Sequence, residues 1–476
     1  MEEIKAEQFR DELATVSKEG KRNWIYPHKP AGAFYNARTI VSIVLLLILV
    51  GTPFIKVQSR SFMLLNFPER NFILFGIPFG PHDFYLFVLA MISIIVFVIL
   101  FTVIFGRIFC GWVCPQTVFM EMVFRKIEYL IEGDSREQIK LKNSPWTKEK
   151  LFKKTLKQLI FFGLAFFISN IFLSYIIGID ELGKIVTDPP SEHLAGLTAM
   201  IAFSGIFYWV FAYFREQACT IVCPYGRLQG VLLDQNSIVI AYDHKRGEPR
   251  GKIKKNEEQK NIGDCVDDKL CVDVCPTGID IRNGIQLECV NCTACIDACN
   301  LVMDKVKRSR GLIRYDSLNG IENSAKFKFT SRMIGYSILL TALVSVLVIL
   351  LASRTDFNIN ILRTPGMLFQ KQPGGMISNL YDFNIVNKTF TESEIYLKLA
   401  DLKGEIKLVG NDLNLESQQK VETKFLLLIP ESELKSMNTA VTIGVYSKNK
   451  LIKNVKTSFL GPVKKKENQI EDDDED

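Results

Sequence analysis

The sequence predicts a polytopic α-helical membrane protein with five transmembrane helices, a cysteine-rich α+β module inserted before the fifth, and a C-terminal all-β immunoglobulin-like domain. Three observations lead there. Charge-free apolar runs recur at 39–55, 84–106, 159–179, 197–214 and 333–352. Seven of the eleven cysteines crowd between Cys265 and Cys299. No cysteine lies beyond Cys299, and after residue 352 short runs rich in β-branched and aromatic residues take over.

Each apolar run approaches the roughly 20 residues that cross about 30 Å of hydrocarbon. Hydrophobic residues fill 48% of the 476 positions but are spread very unevenly, so more than one domain is expected. The first run follows a long charged segment and precedes no small-residue cleavage pattern, which marks an anchor rather than a cleaved signal. Lys and Arg set the orientation. They are dense before the first helix (Lys5, Arg10, Lys18, Lys21, Arg22, Lys29, Arg38) and after the second (Arg107, Arg125, Lys126 and on to Lys154). They are sparse after the first helix (Lys56, Arg60, Arg70) and the third (Lys184). The N-terminus is therefore expected in the cytoplasm of a bacterial inner membrane, and the C-terminal domain in the periplasm after five crossings. The net charge of +6 reflects this flanking bias; no basic stripe with interleaved aromatics points to nucleic acid.

The expected divisions are a cytoplasmic segment (1–38), a four-helix membrane region (39–214), a hydrophilic cytoplasmic stretch (215–330), a fifth helix (331–352), a periplasmic β-sandwich (353–465) and an acidic, disordered tail (466–476). Strand-like runs at 394–399, 404–409, 423–429, 440–446 and 451–455, separated by turn residues, carry the sandwich prediction. This domain has no His and no Cys, which suits docking or spacing better than catalysis.

Cys289-Val-Asn-Cys292-Thr-Ala-Cys295-Ile-Asp-Ala-Cys299 has the C-x2-C-x2-C-x3-C spacing of bacterial ferredoxins. Upstream, Cys265-Val-Asp-Asp268-Lys-Leu-Cys271-Val-Asp-Val-Cys275-Pro276 repeats the spacing with Asp268 in the second cysteine's place. Zinc prefers two distant C-x2-C knuckles closing one tetrahedron, so this crowding points to iron–sulfur clusters. The two runs predict a two-cluster ferredoxin-like α+β module over 263–304. By the crossed rule, cluster one takes Cys265, Cys271 and Cys299 with Asp268 at the fourth corner, and cluster two takes Cys275, Cys289, Cys292 and Cys295. A carboxylate is a harder ligand than a thiolate. Cluster one is thus expected to be aspartate- or water-ligated at one iron, or to lose it as a 3Fe-4S form; the alternative makes Asp268 a solvated loop residue.

The remaining cysteines form two C-x3-C-P motifs, Cys110/Cys114/Pro115 and Cys219/Cys223/Pro224, each after a pair of membrane helices. This is a short internal repeat. At i and i+4 on a helix both sulfurs of a pair share one face. Unligated, such cysteines are simply small buried hydrophobes. Repetition favours redox or metal-handling thiols, either four on one metal or cluster, or two dithiol pairs. Of the four histidines (His28, His82, His193, His244), none falls in a predicted membrane helix, which argues against haem held by a His pair. No Gly-rich dinucleotide fingerprint or P-loop appears.

These residues together resemble the FixG/CcoG family of membrane-bound cytochrome c oxidase accessory proteins, over nearly the whole chain. The likeness includes Trp24-Ile-Tyr-Pro27, Phe72-Ile-Leu-Phe-Gly76, Pro81-His-Asp83, both C-x3-C-P motifs, Gly278-Ile-Asp-Ile281 and the C-terminal domain. Asp268 departs from the family's expected cysteine. The resemblance implies two 4Fe-4S clusters and a role in maturing a cbb-type oxidase, by reducing Cu(II) to Cu(I) for delivery. Copper ions, copper-transport proteins and oxidase assembly proteins are then the expected partners. Two other functions fit the same residues: a quinol-linked polyferredoxin conduit of NapH or NosR type, and a non-redox assembly scaffold.

Overall fold

The computed structural model describes residues 14–17, 19–57, 60–67, 71–80, 83–252, 262–366, 368–389, 391–410, 413–416, 419–434, 436–447 and 450–462. The expected tail at 466–476, His82, and the basic residues Lys5, Arg10, Lys18 and Arg70 lie outside them. The chain divides into two compact units, Met1–Glu69 with Tyr85–Val348, and Arg70–Phe84 with Ile349–Asp476.

Among the described residues, five helical spans are long and apolar enough to cross a membrane. They are built on α1 (Ala33–Gly51), α2 (Phe84–Phe105), α3 (Lys148–Ile177), α4 (Leu194–Trp209, prolonged by a π-helical turn, Val210–Phe214) and α7 (Ser331–Ala352). Two shorter helices, α5 (Leu270–Asp273) and α6 (Ala294–Lys305), lie in the cysteine-rich stretch. Large apolar side chains such as Ile40, Leu47, Phe167 and Ile338 stay exposed along the long helices, and α7 buries only Met333. Such faces match hydrocarbon, where lipid is as apolar as leucine. The chain is a multi-pass membrane protein.

Two helix boundaries differ from expectation, both for the same reason. Helix α1 begins at Ala33 rather than 39, and α3 at Lys148 rather than 159. Hydropathy marks where hydrocarbon begins, whereas a helix continues for as long as its backbone bonds are met. Gly32 starts α1 in extended backbone against Asp297, whose carboxylate accepts from the N–H groups of Phe34 (3.3 Å) and Tyr35 (2.8 Å). That is an N-terminal cap supplied by α6, and Gly32 has no room for a Cβ beside it.

The first part of the basic loop after α2 is not a solvated face. It folds as a π-helical turn (Val118–Phe124) and a helix (Arg125–Glu132) that bury Glu121, Arg125, Glu128 and Glu132. Glu128 meets Arg215 at 2.8 Å and Lys157 at 3.3 Å, and Glu132 meets Lys157 at 2.8 Å. Arg125 pairs with Glu121 at 3.1 Å and Arg22 with Glu216 at 2.8 Å. Below this layer Phe119, Phe124, Phe161 and Phe211 pack between α3 and α4, with Phe124 stacked on Phe211 at 5.0 Å.

Strand β1 (Val239–Tyr242) is tied to the end of α2 by Ser237 Oγ on the Val103 carbonyl (2.7 Å) and Ile238 N–H on that of Ile104 (3.0 Å). It pairs antiparallel with β2 (Ile313–Asp316), in register Val239↔Asp316. The cysteine runs lie between these two strands in sequence.

The second unit is a sandwich of two antiparallel sheets. Its strands are β3 (Phe357–Arg363), β4 (Gln370–Gln372), β5 (Met376–Asn387), β6 (Ser393–Leu399), β7 (Glu405–Val409), β8 (Asn414–Leu415), β9 (Lys420–Pro430), β10 (Asn438–Ser447) and β11 (Lys450–Leu460). One sheet runs β7-β9-β5-β3 with β4 beside β5; the other runs β8-β6-β10-β11. Tyr381, Phe383, Phe425, Ile443, Val445 and Phe459 fill the space between them. The Tyr381 hydroxyl donates to the Ser458 carbonyl at 2.8 Å, so its polar end is met across the core.

Candidate iron–sulfur and thiol centre

The two cysteine runs share one backbone plan. Asp267 and Lys269 flank Asp268 with φ of 52° and 61°; Asn291 and Thr293 flank Cys292 with φ of 52° and 67°. Left-handed non-glycine residues are uncommon, and the same two in each run wrap both peptides alike. A helix then starts immediately, α5 after Lys269 and α6 after Thr293. The N–H of Leu270 donates to Asp268 Oδ1 at 3.3 Å, and the N–H of Ala294 donates to the Cys292 sulfur. Asp268 thus occupies the position of Cys292.

Two cavities receive the side chains. Cys265, Asp268, Cys271 and Cys299 line one, with Tyr242 and Arg282. Cys275, Cys289, Cys292 and Cys295 line the other, against Ile240, Ile279 and Ile281. The linings group the residues as the crossed pairing does, except that Cys271 borders both. Burial pushes the thiols of Cys271, Cys289 and Cys299 up to about 12 and that of Cys292 to about 11. Taking up metal therefore means displacing protons from desolvated thiols. Among the described residues, Asp188, Glu192 and His193 form the only group with three metal-ligating atoms of His, Cys, Asp or Glu within 4.8 Å of one another. The sulfurs are spread more widely than one tetrahedral ion takes, and a cubane suits them.

The C-x3-C-P pairs are built differently from the sequence expectation. Cys110 lies in a short helix (Ile108–Trp112), while Cys114 has ψ 123° and caps the next (Pro115–Thr117). Cys219 lies in a π-helical turn (Ala218–Val222), while Cys223 has ψ 112° and caps Pro224–Leu232. Proline forces the preceding residue out of helical geometry and then serves as the first residue of a new helix. The two sulfurs of a pair therefore do not share one helix face. Even so, the two pairs lie near enough for charge on one to act on the other, although no three of the four sulfurs come within 4.8 Å of one another. Burial pushes Cys219 up to about 12, and Cys114, Cys110 and Cys223 add to the rise. Cys110 is pushed to about 11 by burial, eased by Gln229, whose Nε2 lies 3.4 Å from its sulfur. All four are free thiols.

The C-x3-C-P region abuts the second cavity. Cys110 and Cys219 pack against a small core of Val274, Val290, Cys292, Ala294 and Ala298. Gly111 lies so close to the loop that a Cβ there would sit 2.6 Å from the Val290 carbonyl oxygen and closer still to that of Asn291. Arg38, 3% exposed, donates to the carbonyls of Gly111 (2.6 Å) and Cys292 (3.3 Å). Arg107 donates to the carbonyls of Leu287, Cys289 (3.4 Å) and Gly226. Trp112 donates to the Tyr315 hydroxyl at 3.2 Å, which reaches the Asn291 carbonyl at 3.4 Å.

Three family models match the chain: "4Fe-4S dicluster domain" over residues 214–318, "4Fe-4S binding domain" over 87–132, and "IG-like fold at C-terminal of FixG" over 347–462. Protein RdxA of Cereibacter sphaeroides is 34% identical over 77% of this chain and 80% of its own. The chain belongs to the FixG family. Nitrogen fixation protein FixG of Rhizobium meliloti is 36% identical over 63% of this chain and 58% of its own. Protein RdxB of Cereibacter sphaeroides is 32% identical over 79% and 81%.

As a FixG-family member the chain is a membrane-bound iron–sulfur electron-transfer protein. Both C-x3-C-P pairs fall inside matched 4Fe-4S models, Cys110 and Cys114 in one and Cys219 and Cys223 in the other. Sequence reasoning missed Arg38, Arg107, Gln229 and Tyr315. Arg38 and Arg107 had registered only as orienting charges, and no local pattern marks a side chain whose partner lies as far along the chain as Cys292 from Arg38 (254 positions) or Cys110 from Gln229 (119).

Proposed function

We propose that this protein supplies single electrons to its four-thiol centre, where Cu(II) is reduced to Cu(I) for delivery to a cbb-type oxidase. The observation that carries the reading is the packing of Cys110 and Cys219 against the core that holds Cys292, with Cys114 and Cys223 near enough for their charge to act on Cys219. Cluster one is assigned to Cys265, Cys271, Cys299 and Asp268, cluster two to Cys275, Cys289, Cys292 and Cys295. When bound, these clusters supply electrons one at a time, the stoichiometry of copper reduction.

The chain's own residues do the rest. Soft thiolates favour Cu(I) over Cu(II), so the tetrad stabilises the reduced product. Gln229 orients Cys110, while Arg38 and Arg107 clamp the tetrad's backbone to the cluster-two loop. The positive-inside bias supports placing this centre at the cytoplasmic face of the bacterial inner membrane and the sandwich in the periplasm, where it can dock assembly partners. The test is anaerobic titration of reduced protein with Cu(II) in the presence of a Cu(I) chelator. Wild type yields chelated Cu(I), and Cys219→Ser lowers its rate by about tenfold while the cluster spectra persist. Clusters that stay reduced after Cu(II) is added sink the proposal.

The 4Fe-4S model matched over Cys110 and Cys114 favours a second reading, in which the tetrad holds a third cluster and the chain is an electron conduit. Iron and sulfide counts separate the two: a third cubane's iron, lost in Cys110→Ser, supports the conduit.

A further inference from the structure

We propose that Asp268 holds one iron of cluster one as an exchangeable metal, so that this cluster passes reversibly between four-iron and three-iron forms while cluster two stays complete. The inference concerns cluster composition and stands whether or not copper is the substrate.

Asp268 sits in the same left-handed frame as Cys292 and points its carboxylate into the cavity of Cys265, Cys271 and Cys299. Oδ1 accepts the Leu270 N–H, leaving Oδ2 for a metal. Among the described residues no cation pairs with Asp268, because Arg282, the guanidinium lining the cavity, is taken by Asp267 (2.5 Å) and Asp280 (2.6 Å). The two corners also differ in their access to water: Cys292 is 8% exposed, whereas Asp268 is exposed. A hard oxygen donor at a wet corner holds iron less firmly than a buried thiolate does. The other side-chain oxygen among the residues lining the cavity, the Tyr242 hydroxyl, donates to Glu248 Oε1 at 3.1 Å.

The exchange balances with an external one-electron oxidant and reductant. Loss of one electron takes [4Fe-4S]2+ to the 3+ state, which releases the Asp268-bound iron as Fe2+ and leaves [3Fe-4S]+. One electron and one Fe2+ restore it.

The experiment is ferricyanide titration of the anaerobic full-length protein, with iron counted and low-temperature EPR recorded. Wild type is expected to release one iron per chain and gain a three-iron signal, both reversed by dithionite with Fe2+. Asp268→Cys supplies the fourth thiolate, suppresses that signal and slows iron release by on the order of tenfold or more. Asp268→Ala shows the three-iron signal before any oxidant is added, which keeps the test decisive should the cysteine variant fail to assemble. Tyr242→Phe behaves as wild type. Full iron retention by oxidised wild type, equal iron loss from Asp268→Cys, or faster loss from Tyr242→Phe overturns the assignment.

Discussion

Gly111→Val is expected to slow the transfer of electrons from the reduced clusters to Cu(II) by on the order of a hundredfold while leaving iron content near wild type. The cause is steric and local. A Cβ at position 111 lands 2.6 Å from the Val290 carbonyl oxygen and also against that of Asn291. Both obstacles are backbone, so neither can swing aside as a flexible side chain would. Asn291 is itself one of the left-handed residues that shape the loop around Cys292. A valine must therefore push the cluster-two loop away from the helix of Cys110, and displacements of about 1 Å are costly where reacting groups are pre-positioned. Rapid mixing of dithionite-reduced protein with Cu(II), followed by cluster absorbance, reads the rate. An unchanged rate in a variant with intact clusters shows that this contact is not the route.

Glu128→Gln is expected to destabilise the membrane unit by about 3–5 kcal/mol, because it strands buried cations rather than removing a surface bridge. Glu128 is 1% exposed and binds Arg215 through two hydrogen bonds, of 3.2 and 2.8 Å, with Lys157 beside it. Arg215 opens the turn that leads to Cys219 and holds a left-handed φ of 50°, a strained backbone kept in place by this pairing. Thermal unfolding in detergent checks the loss, and a midpoint equal to wild type refutes it. The pH dependence carries the same sign. Burial alone raises the Glu128 carboxyl, but Arg215, Lys157 and Arg125 outweigh it and hold it well below the usual carboxylate range. Its stabilisation is therefore full above the unfolded value of about 4.3 and is lost as pH falls from there towards the folded value. Glu128→Gln flattens that acid limb.

Much of the architecture was legible in the chain because its signals are local. Five charge-free runs became five long helices, and alternating segments became strands. The longest central strand, Met376–Asn387, was not read. Asn379, Asp382, Asn384 and Asn387 interrupt its apolar alternation, yet Asn379 and Asn387 are buried by bonding backbone, Asn379 to the Leu460 carbonyl and Asn387 to those of Thr391 and Glu416. The buried ion layer was equally hidden. A charge run looks the same whether solvated or paired, and only the fold brings Glu128 to Arg215 and Lys157.

Ligand spacing, a property of a short peptide, groups the cysteines in the sequence as the two cavity linings do, with Cys271 bordering both. It also places a carboxylate, Asp268, at the position that Cys292 holds in the other run. Tertiary structure decided that the two C-x3-C-P pairs come near each other, and that Cys110 and Cys219 pack against the core of Cys292. Arg38 reaches the Cys292 carbonyl across 254 positions and Arg107 that of Gly226 across 119, and nothing in a six-residue motif encodes its distance from another.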